Sequence, residues 1–337
     1  MAMGYKKIGR QSIQFEHPPV IANTYAIVGP KEGQGPLGDR FDQVLQDNYY
    51  GEKDWERAEI KMLRDTITNV ISQAMLKPQD VDFLIAGDLL NQNIASNFAV
   101  RDIAVPFLGL YNACATFVES ITLGAILIDG GYAKNVVAAA SSHYSTAERQ
   151  YRFPTEFGVQ RKPTSQWTVT GAGAACLKDD AVGPRVTAAT VGIVNDMGEK
   201  DPYNMGTAMA PAAADTIQKH LTELSRSPDY YDLYLGGDLG KVGIAIVNTL
   251  LSQKNVKIAD KLVCCGMMMY NDKQGVHAGG SGAGCTASVF SGHIFKEMKA
   301  QRLKKVLLVG TGALFSPLTY QQGESIPAVA HAVAVEL

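Results

Sequence analysis

The order of apolar and polar positions divides the chain into strands and helices that alternate almost throughout. Residues 54–75 carry the strongest helical period. Ile60, Leu63, Ile67, Val70, Ile71 and Ala74 fall on one face, and Lys77-Pro78 ends the run. Short apolar runs at 81–86, 105–110, 135–140, 169–177, 185–194, 231–235, 305–310 and 329–335 read as buried strands. Helical segments are predicted between them at 94–101, 117–128, 205–221, 244–254 and 286–300. Pro211 is placed near the start of one of these, where a first helical turn tolerates it. Strands alternating with helices predict an α/β protein, with parallel sheets and helices on their faces.

The stretch Tyr111-Asn112-Ala113-Cys114-Ala115-Thr116 joins a strand to a small-residue helix and puts Cys114 on the turn. Free backbone N–H groups and the helix dipole there favour a thiolate or a bound anion. On its own, a lone Cys among Ala and Thr is more often a small buried residue. Residues 141–167 break the pattern, being polar, aromatic and cation-rich, with His143, Arg149, Arg152, Arg161 and Lys162. That is too long for a plain connector and reads as a functional loop. A glycine-rich turn around Ser281, just after His277, offers N–H donors in the manner of an anion nest. Asp88 and Asp238 follow glycine at strand ends and read as caps or turn formers; His17 and His220 read as structural or surface residues.

The pattern repeats. Ala86-Gly87-Asp88-Leu89 is answered by Gly236-Gly237-Asp238-Leu239, and Cys114, opening a helix, by Cys285, opening another. Lys134-Asn135-Val136-Val137 is answered by Lys304-Lys305-Val306-Leu307. Two duplicated βαβ-type halves follow, 1–184 and 185–337. Strand ends and helix N-termini then meet between the halves, where α/β sheets bind ligands.

Composition narrows the function. The 337 residues carry a net charge of −2, which gives nucleic-acid binding no electrostatic support. The five cysteines are odd in number and show no zinc-site spacing, which points to a reducing compartment and no metal ligands. No signal-peptide pattern and no apolar run of about 18 residues occur, so a soluble chain without a membrane span is expected.

Duplicated halves with a Cys elbow resemble the thiolase superfamily of thiolases and ketoacyl synthases. The fold that this implies is layered α/β/α/β/α. Val169-Thr170-Gly171-Ala172-Gly173 resembles the glycine-rich strand motif of the synthases, and His277 and His331 lie where the superfamily supplies active-site residues. The synthase His-x-Ala-Asn and Gly-Asn-Thr motifs are missing. So is the thiolase Cys-Ile-Gly-Gly-Gly, where this chain reads Ile326-Pro327-Ala328-Val329-Ala330-His331.

Longer strings are similar to the stage V sporulation protein AD family of spore-forming bacteria. They include Phe15-Glu16-His17-Pro18, Gly87-Asp88-Leu89-Leu90-Asn91-Gln92-Asn93, Thr146-Ala147-Glu148-Arg149-Gln150 and Met209-Ala210-Pro211-Ala212-Ala213-Ala214-Asp215. This resemblance implies a non-enzymatic protein that binds dipicolinic acid and acts in its uptake into the forespore and release at germination. No cofactor is implied; calcium enters, if at all, with the ligand. The implied partners are membrane-embedded proteins of the same stage V sporulation A operon, which would hold the chain peripherally on the spore inner membrane. The superfamily adds a homodimer. The residues offered for the ligand are Cys114, Ala115 and Thr116 of the elbow, His143, Arg149 and Arg152 of the long loop, and His277, Ser281 and His331. The alternatives are an acyltransferase, with Cys114 as nucleophile and His277 or His331 as base, and a scaffold with a vestigial pocket.

Overall fold

A computed structural model describes residues 6–151 and 161–337. Ten strands of one mixed sheet run in an order that repeats. In the first half the order is Phe107–Gly109, Phe83–Gly87, Asn135–Ser142, Gly171–Lys178, Val20–Val28. In the second it is Leu262–Cys264, Leu233–Gly236, Lys305–Ala313, Ala328–Glu336, Arg185–Thr190. The two series join where Val20 pairs with Arg185.

The first three strands of each series are parallel, as the alternation predicts. Gly171–Lys178 and Ala328–Glu336 instead run antiparallel to their neighbours. An antiparallel neighbour needs no helical crossover on the sheet face, so these strands pair directly with the ones before them.

Three apolar clusters fill the spaces between layers. The helix Thr116–Asp129 and the one opening at Ala283–Val289 lie between the two sheet halves, with Phe117 and Phe290 6.0 Å apart between ring centroids. Val136 and Ala138 of the first half and Leu308 and Val333 of the second share that central cluster. Trp55–Gln73 and Ile94–Ile103 cover the outer face of the first half, and Met205–Glu223 and Gly240–Gln253 that of the second. The layering is therefore α/β/α/β/α.

Two helices differ from expectation. Pro211 lies inside Met205–Glu223 rather than in its first turn. Burial of the alanine-rich face holds the helix together across the missing N–H. The segment predicted at 286–300 contains a π turn, Phe290–Ile294. The stretch 141–167 is not all loop either, because Tyr144–Gln150 is helical.

Candidate ligand site at Cys114

The chain enters the elbow from a strand of only three residues, Phe107–Gly109, and turns at Ala113, whose φ is +49°. A left-handed alanine is strained and persists only where its surroundings fix it. Thr116 does so by donating its hydroxyl to the Ala113 carbonyl at 2.7 Å, while the Ala115 N–H donates to Asn112 O at 3.1 Å. Cys114 then sits in the turn immediately before the helix Thr116–Asp129.

Cys114 opens onto a cavity of about 320 Å³. Tyr111, Tyr151 and Phe315 supply aromatic walls, and Leu89, Met205 and Pro317 aliphatic ones. Asn91 and Ser316 are the other polar side chains facing it, and no Lys, Arg or His lines it among the described residues. The volume is at the small end of ligand sites, suited to a compact molecule with a flat apolar body.

The residues singled out in the sequence do not all converge here. Ala115 and Thr116 are fully buried behind the turn, and the Thr116 hydroxyl is directed at the backbone rather than the cavity. His143 caps the helix Tyr144–Gln150: its Nδ1 accepts from Ser145 N–H and its Nε2 donates to Asn48 O at 2.9 Å. Burial pushes it down to about 4, so it is neutral. Arg149 is half exposed, ion-paired with Glu56 and stacked over Trp55. Arg152 lies outside the described residues. His277 is exposed, with φ +56°, on a separate cleft beside Lys241 and Asp272. Ser281 is buried in a short parallel pairing with Thr168.

His331 stands behind the elbow rather than in the cavity. Its Nδ1 accepts from Gly192 N–H at 3.1 Å, and its Nε2 is 3.0 Å from the Asn112 side-chain amide. Both ring nitrogens are therefore engaged, and burial lowers the imidazole to about 4. Asn112 and the walls supplied by Tyr151 and Phe315 were not picked out from the sequence. Asn112 lies inside the quoted elbow, but nothing in the 313–317 segment signals a wall.

The model of the Stage V sporulation protein AD (SpoVAD) family matches residues 9–336. The chain belongs to the Stage V sporulation protein AD family. It is 44% identical over 331 residues to the Stage V sporulation protein AD of Bacillus subtilis (strain 168), covering 98% of each chain. Solved structures give the fold. The 3-oxoacyl-[acyl-carrier-protein] synthase III of Aquifex aeolicus VF5 is similar with a TM-score of 0.57 at 13% identity, over 95% of this chain and 100% of that one. A Xanthomonas campestris OleA variant, solved with bound lauric acid and lauroyl-CoA, scores 0.58 at 14% identity, over 95% and 99%. The fold is thiolase-like, as the duplicated halves suggested.

This member of the Stage V sporulation protein AD family also buries two acidic residues close together behind the cavity wall. Asp88, which precedes the wall residue Leu89, is fully buried and accepts from Leu90 N–H at 2.9 Å, Ser96 N–H at 2.8 Å and Ser96 Oγ at 2.7 Å. It is the turn former that its place after Gly87 predicts. Glu59, on the inner face of Trp55–Gln73, is fully buried beside it. Burial, reinforced by Asp88, pushes the Glu59 carboxyl up to about 8. No helix is long and apolar enough to cross a membrane among the described residues.

Proposed function

We propose that this protein binds dipicolinate without catalysing a reaction, in its uptake into the forespore and its release at germination. The observation that carries the reading is the small, aromatic-walled cavity at Cys114. Membership of the sporulation family supplies the setting. A flat pyridine ring suits the walls formed by Tyr111, Tyr151 and Phe315, and the N-terminus of Thr116–Asp129 favours a carboxylate beside Cys114. The described walls hold no cation to balance a dianion, and burying an unbalanced charge is costly. The ligand is dipicolinate itself or its calcium chelate, whose charges cancel.

A non-enzymatic role is supported by the histidines. A general base must reach the thiol. His331 is bonded to Gly192 and Asn112 instead, and His277 lies on another cleft. The second reading, an acyltransferase, is favoured by one observation: Cys114 sits before a helix N-terminus in a cavity.

Membrane-embedded proteins of the same operon would hold the protein at the spore inner membrane. The edge strand Phe107–Gly109, with Leu108 and Tyr111 exposed beside it, is a candidate homodimer surface. Sedimentation that shows a monomer at every concentration would remove the dimer.

Titration calorimetry tests the main reading. Dipicolinate, with and without calcium, is titrated into wild type and Cys114→Ala, beside acetyl-CoA and malonyl-CoA. Saturable dipicolinate binding weakened by the substitution, with no CoA response, is expected. Covalent acylation of Cys114 without dipicolinate binding would replace this reading with the second.

A further inference from the structure

Thr146 has one hydroxyl proton and two acceptors. Its Oγ1 lies 3.0 Å from His143 O and 2.8 Å from Glu59 Oε2. It can donate to only one of them. When Glu59 carries a proton, Glu59 Oε2–H donates to Thr146 Oγ1 and Thr146 donates to His143 O, which also accepts from Ala147 N–H at 3.1 Å; when Glu59 is ionised, Thr146 turns from His143 O to donate to Glu59. Ser141 Oγ then donates to Glu59 Oε1 at 3.0 Å. The carboxyl raised by burial agrees with this arrangement.

This bond reaches the cavity by two routes. Thr146 belongs to the helix Tyr144–Gln150, which leads directly into the wall residue Tyr151. Asp88, beside Glu59, precedes Leu89 and Asn91 of the facing wall. The walls are joined in turn by Asn91 N–H, which donates to Gln150 Oε1 at 3.0 Å. We propose that Glu59 is a proton-holding positioning residue for the Cys114 cavity, and that losing its proton weakens capture of an anionic ligand. Ionised Glu59 cannot donate to Thr146, and it places a second negative charge beside Asp88 behind the cavity wall. Both effects act in the same direction.

The surrounding groups do not cancel this. Asp88 and Glu56 act on Glu59, and both are acidic; Arg149 of the Tyr144 helix is engaged by Glu56 and lies over Trp55. His143, at the cap of the Tyr144 helix, is neutral. Tyr111 faces Asp88. On the Ile94–Ile103 helix, Arg101 pairs with Asp102, which also meets Arg64. Tyr25, on Val20–Val28, answers to Asp42 and Asp65. Lys178, ending Gly171–Lys178, is paired in register with Asn135 and Val20.

The inference rests on dipicolinate binding, but its proton has a readout without ligand. Both tryptophans of the chain touch the Tyr144 helix. Trp167 stacks on Tyr144 at 3.7 Å, and Arg149 lies over Trp55 at 5.3 Å. Tryptophan emission is titrated from about pH 6 to about pH 10 in wild type and Glu59→Gln, whose amide can donate to Thr146 at every pH. Dipicolinate affinity is measured over the same range. In wild type, emission is expected to change with a midpoint near 8. Affinity is expected to fall through that midpoint, by less than ~10-fold per pH unit, and to level off at the weaker affinity of the ionised form. Both profiles are expected to be flat in Glu59→Gln. Binding whose pH profile is the same in both proteins, with flat emission, overturns the inference and leaves the binding reading standing. No dipicolinate binding at any pH removes that reading and the capture step proposed here with it.

Discussion

Thr116 illustrates how a residue chosen for one role serves another. Its place after Cys114 suggested a hydroxyl for the ligand, yet the hydroxyl closes the turn onto Ala113 O. Thr116→Val keeps the shape and removes the donor. The expected cost is ~1 kcal/mol in chemical denaturation, and an unchanged midpoint would show that the left-handed Ala113 needs no such support. Glu59 carries the opposite lesson. It falls among Ala58, Met62, Leu63, Thr66 and Ile67 on the buried face of its helix. A carboxylate in such a row is legible in the sequence as a misfit, because its neighbours fix which way it points. The pairing with Asp88 is not legible, because it depends on how a helix and a strand end meet in space.

At the scale of elements, close packing sets the tolerance. The strand Gly171–Lys178 lies against the central helix so tightly that a Cβ on Gly173 would meet Ala287 O at 2.2 Å and Ser288 N at 2.8 Å. Both are backbone atoms and cannot swing aside. Gly173→Ala is expected to destabilise by at least about 1–3 kcal/mol, read as a lower denaturation midpoint, whereas a neutral result would mean that the layers can separate. The order of strands and helices was readable because each has its own period. The cavity was readable only on one side. Cys114 announces itself at a strand–helix turn, but Phe315 and Pro317 come from a connecting segment about two hundred residues later, with no motif. His143 and Arg149 drew notice by residue type, and a cap and an ion pair account for them.

At the scale of the whole molecule, buried titratable groups set the response to pH. His143 and His331 are lowered to about 4 and His220 to about 3, all chiefly by burial. A depressed histidine binds its proton more readily when unfolded, so stability falls as pH drops below the ordinary value of 6.5. Glu59 is raised to about 8 and Glu32 to about 6, again chiefly by burial. A raised carboxyl costs stability as pH rises from its ordinary 4.5 through the folded value. Thermal unfolding should therefore show a maximum at about pH 6–7 and a descent on both sides. Glu59→Gln should flatten the alkaline side and steepen the acid side above about pH 4.5, where the wild-type carboxyl opposes the histidines. A wild-type profile still rising at about pH 9 would contradict this.

The cysteines differ sharply in reach. Cys176, Cys264, Cys265 and Cys285 are at most 1% exposed, and burial pushes all four thiols up, whereas Cys114 is 8% exposed and opens onto the cavity. The native chain thus carries a built-in chemical handle. A small alkylating reagent should add one mass increment to the folded protein and five to the unfolded one. Ligand in the cavity should slow that single modification, so the labelling rate reports occupancy without any engineered cysteine.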